Sequence, residues 1–141
     1  MTPALIWFRR ICWLGVAIWT ATVFYLSSQG GPDLAEQMPF FMAMWDKLLH
    51  FVAFLSGACA LLPALRLSYS WSWKKVALTC IACLSIYGAL DEVHQYWTPS
   101  RSALDPLDWL ADTLGAATGT TLAFFIHAFC ERKNRRTTSE N

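Results

Sequence analysis

Residues 76–96 read VALTCIACLSIYGALDEVHQY. The first 15 of them are uncharged and make about 22 Å of helix. The hydrocarbon core of a bilayer is about 30 Å thick. A helix ending at Leu90 would stop short of the far side, so it is expected to run on to about Tyr96. That draws Asp91 and Glu92 into or just under the membrane boundary, where ionisable groups are costly and usually face a bundle interior or a wet cavity.

The rest of the chain has the same character. It has 141 residues, is 55% hydrophobic, and has a mean hydropathy of +0.34. Its apolar residues come in blocks long enough for membrane spans. The reading is an all-α polytopic membrane protein, a bundle of four transmembrane helices in one domain, residues 1–130. The expected spans are about 10–27, 46–65, 73–96 and 105–129, followed by a polar, frayed tail, 131–141. The first apolar run resembles a signal peptide. However, Phe24, Tyr25 and Leu26 stand where cleavage needs small residues, so a retained helix is expected. Gly30, Gly31 and Pro32 end it. Residues 34–45, LAEQMPFFMAMW, are too short to span and are expected along the interface. Asp46 is then expected in the first turn of helix 2, and Asp105 with Pro106 at the start of helix 4.

Basic residues orient the bundle. Arg9, Arg10, Arg66, Lys74, Lys75, Arg132, Lys133, Arg135 and Arg136 fall on one side of this topology, and Lys47 and Arg101 on the other. By the positive-inside bias both termini are cytoplasmic. Trp71 and Trp73, beside Lys74 and Lys75, suit an inner interfacial anchor. There is no basic stripe beyond the membrane flanks, which argues against nucleic acid as a partner. Cys80 and Cys83 form a lone CxxC within a helix and are read as packing residues.

The acids gather on the outer side. Asp46, Asp91, Glu92, Asp105, Asp108 and Asp112 lie at the outer ends of helices 2, 3 and 4, with Lys47, His50, His94, Gln95 and Arg101. Asp46 and His50 are four residues apart and share a face, and Glu92 and Gln95 are three apart. Asp105, Asp108, Asp112, Gly115 and Gly119 follow steps of three, four, three and four, one continuous stripe. Its inner half is GxxxG, which admits a close helix neighbour, so the acids are expected to face protein. The expected ligand-binding set is Asp46, Lys47, His50, Glu92, Gln95, Arg101, Asp108 and Asp112. Lys47 and Arg101 either neutralise the acids or hold an anionic head group. Asp91 is read as a cap or water-facing residue.

The set resembles the VanZ-like membrane protein family. The resemblance covers most of the chain. It is carried by Ser27, Ser28 and Gln29; by DKLLHF at 46–51; by Glu92 and Gln95 of DEVHQ; by Pro99 and Arg101 of TPSR; and by Asp108, Gly115 and Gly119 of DWLADTLGAATG. This chain has Asp112 where the family pattern usually has Asn. The family's namesake is associated with low-level teicoplanin resistance, so the resemblance implies a multi-pass protein of the bacterial inner membrane with a cell-envelope role. It supplies no established reaction.

Three function classes are compatible with these residues. The first is a binding protein whose outward pocket engages a lipid head group, a lipid-linked cell-wall precursor or a glycopeptide antibiotic. The second is an intramembrane hydrolase or transferase acting on a lipid-linked phosphate or ester. His50, Glu92 and Asp108 are its candidate catalytic residues, and Asp108, Asp112 and Glu92 candidate ligands of a divalent cation. Against it, neither a motif such as HExxH nor a Ser or Cys in nucleophile context occurs. The third is a proton-linked transporter, disfavoured because the inner halves of helices 2, 3 and 4 offer only Cys, Thr and the terminal His127. No cofactor is expected, and a homo-oligomer is compatible with the sequence.

Overall fold

The computed structural model describes residues 2–29, 39–99 and 104–139, with side chains at 2–29, 44–99 and 104–129. Among these residues the chain is all-helical and has no strand. It forms α1 (Pro3–Ser27), α2 (Pro39–Ser68), α3 (Trp73–Gln95) and α4 (Pro106–Ser139). Among the described residues, three helices are long and apolar enough to cross a membrane: Pro3–Ser27, Met44–Ser68 and Trp73–Gln95.

The helix bounds exceed the expected spans at several ends. α2 begins at Pro39, so Asp46 lies two turns inside it and caps nothing. Residues 34–38 of the expected interfacial stretch lie outside the described residues, and 39–45 form the first turns of α2. α4 continues to Ser139, so most of the expected frayed tail is helix. α3 does end at Gln95, with Tyr96 at its C-cap.

α4 packs most closely on α2, and α1 also leans on α2. Gly115 and Gly119 are the reason α4 comes so near. A Cβ on Gly115 would collide with the carbonyl oxygen of Phe51, and one on Gly119 would sit 2.7 Å from that of Leu55. The two backbones touch without intervening side chains, as GxxxG allows. Below this contact, Phe54, Ala58, Leu61, Leu62, Leu65, Val76, Cys80, Leu84 and Ala116 form the buried apolar core. Trp19 fastens α1 to it, donating from Nε1 to Ala53 O at 2.9 Å and meeting Phe54 edge-on at 5.4 Å. Tyr87 of α3 donates its hydroxyl to Thr20 O at 2.9 Å.

At the opposite end from the acids, Arg66 lies over Trp73 and Lys75 over Trp71. Ser72 caps α3, accepting from Lys75 N at 3.3 Å. These cation–aromatic pairs gather the basic residues and the tryptophans at that end of the bundle. Cys80 is buried and Cys83 exposed, both as free thiols.

Candidate functional site

The N-terminal half of α4 supplies the buried end of the site. Asp108 is 1% exposed and Asp112 is fully buried. They sit one turn apart above Gly115, so the glycine contact that draws α4 onto α2 also carries both carboxylates inside. The stripe faces protein, as its spacing implied. Asp105 caps the helix, with Oδ1 accepting from Leu107 N at 2.8 Å and Pro106 at the first helical position.

α2 supplies the counterparts. Lys47 Nζ lies 2.6 Å from Asp105 Oδ2 and 2.5 Å from Asp108 Oδ1, with Asp46 at 3.9 Å. The contact with Asp108 is a close ion pair with a buried carboxylate. One turn on, His50 Nδ1 meets Asp112 Oδ1 at 2.9 Å. A carboxylate can only accept, so Nδ1 carries the proton. Nε2 has no hydrogen-bond partner among the described residues.

The C-terminal end of α3 closes the site. Glu92 Oε2 accepts from the backbone N–H of Asp105 at 2.9 Å, tying α3 to the start of α4. Among the described residues, Glu92 Oε1 and Asp112 Oδ2 are buried without a hydrogen-bond donor. Gly88 makes room for Asp112: a Cβ there would lie 2.6 Å from Oδ2. Asp91 departs from the expectation that it faces water. It is 5% exposed, and its Oδ2 accepts from Ser27 Oγ at 2.8 Å and Gln95 Nε2 at 2.9 Å. Gln95 therefore serves Asp91, and this bond network joins α1 to α3.

Six of the eight expected ligand-binding residues thus converge: Asp46, Lys47, His50, Glu92, Asp108 and Asp112. Gln95 borders them through Asp91, and Arg101 lies outside the described residues. Sequence reasoning assigned Asp105 to the helix start and missed its bond to Lys47. It also missed the Ser27–Asp91 pair and the role of Gly88. A glycine one turn before DE in an otherwise bulky run is the signal for the last.

Asp105 stands in the connection ahead of α4. Lys47's ammonium, then the Leu107 N–H, hold its carboxyl below the ordinary carboxylate value. A depressed folded value contributes stability above the unfolded pKa, about 4, that is lost as pH falls through the folded one. Asp105→Asn is therefore expected to be less stable at neutral pH and to show a shallower acid limb. Thermal unfolding followed from neutral pH down to about pH 2 checks this; superimposable limbs would contradict it.

A cavity of about 390 Å³ adjoins the cluster. Val23, Leu26, Leu49, Val52, Ala53 and Phe54 form its apolar wall, and Ser27, Asp46, His50 and Asp91 its polar end. Pockets of this size and mixed lining suit small or amphiphilic ligands.

No curated protein and no solved structure matches the chain. A family model described as VanZ/LLP1 matches residues 12–127. That range takes in α2 and α3 whole, the greater part of α1 and α4, and every residue of the acidic cluster, and the chain belongs to the VanZ/LLP1 family.

Proposed function

We propose that this is a four-span protein of the bacterial inner membrane that binds a membrane amphiphile from the outer leaflet. Residues 1–130 form the membrane domain, and both termini are cytoplasmic. α4 is the fourth span. Its lower hydropathy reflects Asp108, Asp112 and the Gly/Thr face, which pack against α2 and α3 and so spare it the cost of exposing them to lipid. The amphiphile is a lipid, a lipid-linked cell-wall precursor or a glycopeptide-type antibiotic. Its apolar part lies along Leu26, Leu49 and Val52, and its head meets Ser27, Asp46 and His50.

The observation that carries this reading is the cavity, apolar along α1 and α2 and polar where the cluster begins. Ala53→Phe fills its wall. The variant is expected to copurify with markedly less lipid per protein by native mass spectrometry, with helicity unchanged. Retention equal to that of the unsubstituted protein would overturn the reading.

A second reading is an intramembrane hydrolase or transferase acting on a lipid-linked phosphate or ester. What favours it is His50, held at Nδ1 by buried Asp112, with Nε2 unbonded beside the cavity. A base oriented by a carboxylate is a recurrent catalytic arrangement. Of the three candidate catalytic residues, Glu92 and Asp108 are engaged by Asp105 N and Lys47. Release of phosphate or head group from envelope lipids by the purified protein, with or without Mg2+, separates the two readings.

A further inference from the structure

We infer that Asp46, His50 and Asp108 form a site for a first-row divalent cation at the polar end of the cavity. Their potential ligand atoms all lie within 4.8 Å of one another, on two helices whose backbones are locked together by Gly115 and Gly119. One imidazole and two carboxylates suit Mn2+ or Zn2+ better than an oxygen-only cation.

Independent features point the same way. The His50 side chain is nine-tenths buried, yet Nε2 has no bond partner among the described residues. Its other nitrogen is fixed by Asp112. This is how metal-binding histidines are usually oriented, with the second ring N–H given to a carboxylate. Asp108 Oδ1 is buried, and its partner among the described residues is the Lys47 ammonium, a cation already in place there. Glu92 Oε1 is buried with no hydrogen-bond partner among the described residues, and its carboxylate interacts electrostatically with Asp108 and His50. Among the described residues, five carboxylates (Asp46, Glu92, Asp105, Asp108, Asp112) meet Lys47 and His50 here, and Glu92, Asp108 and Asp112 are buried.

Lys47 holds the cation's place in the metal-free protein. Its ammonium lies between Asp105, Asp108 and Asp46. When a metal binds, Lys47 keeps Asp105 and yields Asp108. The consequence for the ligand rests on the proposed function. Without a metal, the acids repel an anionic head and Lys47 is already engaged. With one, the same end of the cavity can take a phosphate.

The test needs no lipid. Chelator-stripped protein in detergent is titrated with Mn2+, Zn2+ or Mg2+, with thermal unfolding and bound metal by mass spectrometry as readouts. Mn2+ or Zn2+ is expected to bind one per chain and raise the melting temperature saturably, with Mg2+ weaker. His50→Gln and Asp108→Asn lose the shift. Asp112→Leu weakens binding about 10- to 100-fold, as loss of an orienting partner does. Lys47→Met strengthens it, because the competing ammonium is gone. Absence of bound metal in the unsubstituted protein, or His50→Gln binding as tightly as it does, overturns the inference. Should Lys47→Met not fold, the other variants still decide. Metal binding with unchanged lipid retention in Ala53→Phe would separate this site from the amphiphile reading.

Discussion

Gly115→Ala is expected to destabilise the bundle by about 3 kcal/mol, at the top of the usual range for overpacking a close contact. The added methyl meets the Phe51 carbonyl oxygen, its carbon, and the backbone nitrogen of Leu55. No side chain can rotate away, because every obstacle is backbone. α4 must move off α2 along the contact that also holds Asp108 and Asp112 inside. Gly115→Val is expected to leave no folded protein. Gly15→Ala is the matched control. Nothing lies within 4 Å of a Cβ at Gly15 on α1, so only helix propensity acts there. That change should be neutral or stabilising by up to about 1 kcal/mol. Thermal unfolding in detergent compares the pair. Equal effects at the two glycines would mean that the α2–α4 contact is looser than the backbone separation at Gly115 implies.

The contrast explains which parts of the molecule could be read in advance. The α4 stripe was legible because helical period is local: the steps from Asp105 to Gly119 lie on one face wherever the helix sits. The reach of α3 was legible because bilayer thickness sets a minimum length. Bilayer thickness sets no maximum, which is why α2 and α4 run past their expected ends at Pro39 and Ser139. Pairing across helices was less legible. Asp91 finds Ser27, 64 positions away, and nothing in DEVHQ distinguishes it from the neighbouring Glu92. Lys47 had several carboxylates within plausible reach, and only the packing of α4 on α2 selects Asp105 and Asp108. Asp112 is a further case. An Asn there could still accept from His50 Nδ1, so the hydrogen bond does not require the extra charge of this chain. That charge adds to the excess of carboxylates around His50 and Lys47.

Lys47→Met, measured in chelator, is expected to cost about 3–5 kcal/mol, the usual result of breaking a buried pair from one side. Methionine retains most of the apolar stem, so packing changes little and the loss is chiefly electrostatic. The two carboxylates that Lys47 serves fare differently without it. Asp105 has a side chain 30% exposed and regains water, so its loss is small. Asp108 is 1% exposed, and its Oδ1 has no other partner among the described residues to replace the ammonium. The penalty should therefore be specific to Asp108. Asp108→Asn added to Lys47→Met is expected to recover most of the stability, because a neutral amide is far cheaper to bury than an unpaired carboxylate. Asp105→Asn in the same background should recover little. A double-mutant cycle then yields a large coupling for Lys47 with Asp108 and a small one with Asp105. If Lys47→Met unfolds within about 0.5 kcal/mol of the unsubstituted protein, a surface-like effect, Asp108 is not held by Lys47 as an ionised group. The same cycle repeated with Mn2+ or Zn2+ tests the replacement directly. A divalent cation that takes the ammonium's place restores stability to Lys47→Met. It leaves the doubly substituted protein unchanged, since Asp108→Asn removes the charge that would attract it.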